Sequence, residues 1–250
     1  MADNIVMSEM TWTEVDEALK DRPVAILPVG ATQAHGPHLP VSTHAVLAVE
    51  MSRRGVAKLK EHGIPALILP PVHFAHGLHA ADFAGTLSIP AETVTTLVRD
   101  VCQAAAKRFR GVAIANVNLE ARNVECLKRA VDEARKAGAT VCFADIAKKR
   151  WADMLGEGFR DGDHGGAFET SLMMAAAPDR VREKVRISLP PIEGVGAAVR
   201  KGTKTLLEAG AEDAYYGDPT AASAEDGEGL LDALGEILSL SVREMLGSKA

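Results

Sequence analysis

The chain is poor in cysteine, in blocks of positive charge and in long apolar runs, and each shortage removes a class of protein. Its three cysteines, Cys102, Cys126 and Cys142, are scattered and form no CxxC pair. That excludes a disulfide framework and a cysteine metal site, and it fits buried, reduced thiols in a cytoplasmic protein. Formal net charge is -6 and no basic tract is present, so nucleic acid finds no electrostatic footprint. No apolar run reaches the ~18 residues of a membrane span. The opening MADNIVMSEM lacks the charged-then-apolar layout of a secretory signal. Internal repeats and low-complexity segments are missing too.

What is present is ordinary in bulk: 47% hydrophobic and 25% charged residues over 250 positions, a composition that excludes disorder and fibrous folds. Pro23–Val29, Ala66–Leu69, Gly111–Val117 and Ala139–Ala144 read as short buried strands. Between and after them, helical spacing runs over Thr43–His62, Pro90–Phe109, Ala121–Lys136, Ala167–Ala177 and Gly229–Leu246. Strands alternating with helices predict an α/β fold with a mostly parallel central sheet flanked by helices. Ligand loops in such a sheet lie at the carboxyl ends of its strands. The Gly/Ala/Asp-rich stretch Gly210–Gly229 reads either as a flexible loop or as an ordered contact between copies.

Histidine is distributed unevenly. Of eight histidines, six stand at positions 35, 38, 44, 73, 76 and 79, in the loops after the first two strands. Gly36, Pro37 and Pro40 stiffen the first of these loops, and stiff loops hold metal ligands accurately. Asn116-Val117-Asn118-Leu119-Glu120 follows the third strand, and Glu120 reads either as a site carboxylate or as a helix N-terminal acid. A third constellation runs from Asp161 to Ser171. His164 and Glu169 there are catalytic candidates, and in the plainer reading Asp163 caps the next helix and Glu169 is structural.

Gly30 to His44, Phe83 to Ser88 and His164 to Ser171 together resemble the creatininase (creatinine amidohydrolase) family. The resemblance implies a single α/β domain over residues 1–250 that assembles as a homohexamer. It also implies a hydrolase that cleaves linear or cyclic amides with a two-metal site. The first family loop usually reads G-S-T-E-Q-H-G-P-H-L-P and then G-T-D, in which Glu, the first His and Asp bind metal and Asp bridges the two ions. Here those places hold Gln33, His35 and His44; the ligand His of the third-strand motif is Asn118. Glu120, His164 and Glu169 stand at matching positions.

Charge balance turns these departures into an expectation. Gln33 removes a negative ligand, Asn118 a strong nitrogen donor, and His44 the bridge, since each imidazole nitrogen binds one ion. The second metal is therefore expected to be absent. His35, His44 and Glu120 remain as a two-histidine, one-carboxylate set for one divalent ion per chain, Zn²⁺ first, with Fe²⁺ or Mn²⁺ as alternatives. In this reading His164 donates a proton to the leaving nitrogen and Glu169 orients it or the water. His79, Thr86, Arg160 and Asp161 are substrate-binding candidates, with a loop-building role weighed for Thr86. The expected function is hydrolysis of a C–N bond in a small molecule. The alternatives are ring-ketone hydrolysis or iron-dependent oxidation at the same site, or a non-catalytic member that binds or assembles.

Overall fold

The computed structural model describes residues 5–161 and 163–247, with residues 157, 158, 160 and 161 described by backbone alone. In chain order the elements are α1 (Trp12–Leu19), β1 (Val24–Pro28), α2 (Thr43–Glu61), β2 (Ala66–Ile68), α3 (Ala91–Ala106), β3 (Gly111–Ala115), α4 (Ala121–Lys136) and β4 (Val141–Phe143). There follow α5 (Ala152–Asp161, broken at Gly156), α6 (Ala167–Ala176), α7 (Glu183–Arg186), α8 (Val195–Arg200) and α9 (Ala224–Met245). The four strands form one parallel sheet in the order β2-β1-β3-β4.

Every residue of β1 and β3 is buried, because helices cover both faces; this is why those strands read as unbroken apolar runs. Successive side chains still divide between the faces. Val24, Ile26, Ala113 and Ala115 pack with Leu47 and Met51 of α2, Leu172 of α6 and Leu234 of α9. Ala25, Leu27, Val112 and Ile114 pack with Val94 and Val98 of α3 and Leu127 of α4. The result is three layers, helix–sheet–helix.

The expected elements lie where the apolar periodicity puts them, with ends shifted by a few residues. The largest shift is in α9, which starts at Ala224 and not at Gly229. Ser223 caps it, its hydroxyl accepting from the Asp226 N–H at 3.1 Å. Gly227 is tolerated inside the helix for a packing reason: a Cβ there would lie 1.9 Å from the Ser171 carbonyl oxygen on α6. Gly30 answers the same need at the end of β1, where a Cβ would lie 2.4 Å from Ala45 of α2.

The stretch from Gly210 is ordered and closes over the strand ends. Tyr215 is fully buried, and Leu206, Ala211 and Ala214 pack with Ala34, Ala80 and Val195 in a small third core beneath the loops. All three cysteines are buried, and burial pushes the Cys102 and Cys142 thiols up to about 12. No described helix is long and apolar enough to cross a membrane.

Candidate active site

The loop after β1 is pinned from several sides. The Leu87 N–H donates to the Thr32 carbonyl at 2.9 Å and the Gly36 N–H to Ala214 at 2.8 Å. The Ala34 N–H donates to the Thr86 hydroxyl at 3.0 Å. His35 is thus held on a rigid backbone, and it is completely buried. His44 enters from the first turn of α2. His164 and Glu169 enter from the start of α6, where the Glu169 carboxylate accepts from the Gly165 N–H at 2.8 Å. That contact ties the residue before the cap to the first turn of α6 and places a negative charge where the helix dipole favours it.

His35, His44, His164 and Glu169 each bring one ligand-capable atom within 4.8 Å of all the others, and all four residues are buried. His35 Nε2 lies 3.0 Å from His44 Nε2, and His44 Nε2 lies 2.8 Å from Glu169 Oε1. The second Glu169 oxygen lies 3.7 Å from His35 Nε2. The outer nitrogens fix the tautomers. His35 Nδ1 donates to the Gln33 carbonyl at 2.8 Å, and His164 Nε2 donates to the Ala34 carbonyl at 2.7 Å. This leaves lone pairs on His35 Nε2 and His164 Nδ1. An imidazole anchored through its outer N–H to a backbone carbonyl is the usual support of a metal-binding histidine.

The electrostatics agree. Burial, reinforced by His44 and His164, holds the His35 pKa well below its ordinary value. Burial also lowers that of His164. Burial pushes the Glu169 carboxyl up, but His44 and His35 outweigh it and hold the group below the usual carboxylate range. Burial and the Glu169 charge push Asp163 well above that range. Neutral imidazoles beside an ionised carboxylate form a donor set suited to a borderline divalent cation such as Zn²⁺, Mn²⁺ or Fe²⁺. Two imidazole nitrogens converging on one carboxylate gain most from a cation placed among them. The residues present therefore fit a metal.

Glu120, the carboxylate expected beside His35 and His44, stands outside that group of four. Its Oε1 accepts from the Leu78 N–H at 2.7 Å and the His79 N–H at 3.3 Å, and its Oε2 faces Gln33 Nε2 at 3.4 Å. The carboxylate that converges with the two histidines is Glu169, which the sequence reading assigned to orientation. His79 does line the cavity. Thr86 lies outside the cavity wall, and its hydroxyl holds Ala34. The side chains of Arg160 and Asp161 fall outside the described residues. Asp163 accepts from the Phe168 N–H at 2.7 Å, so it does cap the start of α6.

The cluster opens into a cavity of about 750 Å³, the size range of small-molecule sites. Its buried wall carries Gln33, Asn118, Glu120 and Glu169, its apolar wall Leu78, Leu119 and Phe159, and its exposed part Arg122 and Lys204. A family model described as creatinine amidohydrolase matches residues 8–241 of the chain. The chain belongs to the creatininase family. The mycofactocin precursor peptide peptidase of Mycobacterium tuberculosis (strain ATCC 25618 / H37Rv) is 30% identical over 241 residues, which cover 92% of this chain and 88% of that protein. The creatinine amidohydrolase of Pseudomonas putida is 29% identical over 213 residues, covering 76% of this chain and 79% of that protein. A solved structure described as "Creatininase Mn" superposes with a TM-score of 0.74 at 24% identity, covering 97% of this chain and 98% of that one. A crystal structure of creatinine amidohydrolase gives 0.75 at 24%, with coverage of 99% and 100%. The chain is thus a creatininase-family hydrolase, and its histidine–glutamate cluster is able to bind a divalent metal.

Sequence reasoning overlooked Tyr216. This residue lines the cavity and pairs with His164, the backbone of each bonding to the other at 3.2 and 2.9 Å. Burial, with Glu169 and Asp163 nearby, pushes the Tyr216 phenol up to about 12, so its hydroxyl remains a donor. A signal did exist: the only two tyrosines of the chain stand side by side at 215 and 216.

The buried histidines carry a pH dependence. His38, completely buried with its Nε2 3.0 Å from the Thr170 hydroxyl, is pushed down by burial to about 4. His35 and His164 are lowered for the same reason. Unfolded histidine titrates near 6.5, so between about 6.5 and 4 the unfolded chain binds more protons than the folded one, and stability falls as pH falls. The loss amounts to at most about 1.4 kcal/mol per pH unit for each such histidine. Urea denaturation at pH 7.5, 6 and 5 should show a midpoint that drops below pH 6.5. A midpoint unchanged down to pH 5 would mean that these rings are solvated.

Proposed function

We propose that this protein hydrolyses a C–N amide bond in a small molecule or at a peptide end, with one divalent metal per chain. The observation that carries the reading is the convergence of His35 Nε2, His44 Nε2 and a Glu169 oxygen on one buried spot, at 3.0 and 2.8 Å. His35, His44 and Glu169 would hold the ion, a two-histidine, one-carboxylate set. A metal there supplies Lewis acidity for the scissile carbonyl and lowers the pKa of water towards ~7.

The remaining chemistry falls to the chain's own groups. His164 is neutral, and its Nε2–H is tied to the Ala34 carbonyl. Its Nδ1 lone pair takes a proton from the attacking water and then returns it to the leaving nitrogen. The nearby Glu169 carboxylate stabilises the imidazolium formed in between. Tyr216 donates a hydrogen bond into the cavity. The names of the relatives, an amidohydrolase and a peptidase, support C–N cleavage over the ring-ketone and oxidative alternatives.

Elemental analysis of protein purified without chelator, run beside an amine-release assay over small amides and short peptides, tests the reading. We expect one equivalent of metal per chain, with turnover that is lost on chelation and restored by Zn²⁺ or Mn²⁺. Two equivalents would overturn the single-metal assignment. No turnover from the loaded protein would overturn amide hydrolysis.

A further inference from the structure

Among the described residues the cavity wall carries three buried polar atoms without a partner, His44 Nδ1 and, on two side-chain amides, Gln33 Oε1 and Asn118 Nδ2. Gln33 and Asn118 are each 1% exposed. A buried polar atom without a hydrogen bond is costly, so each such atom calls for an account. Here the account begins with orientation. Side-chain amides are easily built the wrong way round, but the partners decide both cases. Gln33 faces the Glu120 carboxylate at 3.4 Å, and a carboxylate only accepts, so the Gln33 nitrogen lies on that side and its oxygen is the free atom. Asn118 meets the Glu120 backbone N–H at 2.9 Å, and an N–H only donates, so the Asn118 oxygen lies there and its nitrogen is free. Glu120 thus sets both amides, and it leaves one acceptor and one donor unused on the same buried wall.

We infer that Gln33 and Asn118 form a subsite for a neutral group that both donates and accepts, namely a carboxamide or peptide unit of the substrate. The substrate N–H donates to Gln33 Oε1, and its carbonyl accepts from Asn118 Nδ2. A carboxylate would meet the Gln33 oxygen with like polarity, and an ammonium would leave the Asn118 N–H unpaired. A group that makes both bonds satisfies two buried atoms that the protein leaves unpaired. The subsite also explains what the neutral side chains at 33 and 118 do: they exchange charge, which would call for a cation, for recognition of an uncharged amide. Gly77 belongs to the same arrangement. A Cβ there would lie 3.2 Å from Glu120 Oε2 and 3.4 Å from the Gln33 side-chain amide, so a side chain at 77 would press on the groups that set the orientation.

This inference rests on the amide-hydrolase reading and extends it to the substrate. The test uses two probes of similar size and shape, benzamide and acetophenone. Both carry the acceptor carbonyl, but only benzamide carries the donor, and the ring has Leu78, Leu119 and Phe159 to pack against. Dissociation constants are measured by titration calorimetry or ligand-observed NMR on the metal-loaded protein, Gln33→Met and Asn118→Leu, with metal content and circular dichroism recorded for each. The expected result is benzamide preferred by about tenfold or more in wild type and by less than threefold in Gln33→Met at unchanged metal content, while folded Asn118→Leu, which removes the donor to the carbonyl that the probes share, binds both more weakly. Asn118→Leu also removes a hydrogen bond to the Glu120 backbone, so Gln33→Met decides the matter if Asn118→Leu does not fold. Equal binding of the two probes in wild type, no binding of either at millimolar concentration, or a preference that survives Gln33→Met would overturn the subsite. Any of these results beside intact amide turnover would sink the subsite alone. A preserved probe contrast in a loaded protein that hydrolyses no amide would sink the hydrolase reading alone.

Discussion

Replacing His35 with alanine is expected to remove the metal and, with it, most of the activity. His35 is the fully buried member of the proposed metal set; the Gln33 carbonyl fixes its tautomer, and its Nε2 faces His44 Nε2 at 3.0 Å. Without it, His44 and Glu169 keep their 2.8 Å contact as a simple buried hydrogen bond, and two ligands from the set hold a divalent ion poorly. Lewis-acid stabilisation is worth several kcal/mol. A loss of about 3–4 kcal/mol is a fall of roughly 10²–10³ in kcat/KM. Elemental analysis and steady-state kinetics on the same preparation check this. A variant that keeps a full equivalent of metal would place the ion elsewhere. Glu120, with its own carboxylate on the cavity wall, would then be the first group to examine.

His164→Gln is the second large effect, and it separates proton transfer from metal binding. If His164 Nδ1 shuttles a proton between water and the leaving nitrogen, kcat should fall by about 10²–10⁴, the range for a positioned acid–base group. Metal content should stay at one equivalent, because His35, His44 and Glu169 remain. KM should move little, since the apolar wall of Leu78, Leu119 and Phe159 is untouched. A change in kcat below threefold would remove His164 from the mechanism. A fall in kcat accompanied by metal loss would make His164 a fourth ligand, a role its place among the four converging residues also permits. Glutamine keeps a hydrogen-bond donor near the Ala34 carbonyl, which guards the pinned loop against collapse.

The two experiments bear on one question, which carboxylate completes the metal set. By residue type and order along the chain, Glu120 and Glu169 are equally eligible. The difference lies in which backbone N–H groups reach them. Glu120 is held by Leu78 and His79, in the loop 71–90 that follows β2. Glu169 is held by Gly165, within its own helix start, and its other oxygen remains turned towards His44. Both contacts decide where the negative charge sits, and the Glu120 contact spans 42 residues of sequence.

What this sequence determined by itself was the local and the periodic. Apolar runs such as Val24–Pro28 and Gly111–Ala115 declare strands covered on both sides, and the helix α4 begins and ends where its apolar spacing and Gly138 put it. The motif around His35 and the run from His164 to Ser171 declare the family, and with it the chemistry to look for. Tertiary structure alone decided the rest. His35, His44, His164 and Glu169 meet because the end of β1, the first turn of α2 and the start of α6 converge, and His44 and Glu169 are 125 residues apart in the chain. The last stretch before α9, which composition left open between a mobile loop and a contact, seals the site through Tyr215 and Tyr216. Neither outcome leaves a local trace, because periodicity records which face of an element is buried, while the partner across the site is chosen by packing and by long-range hydrogen bonds.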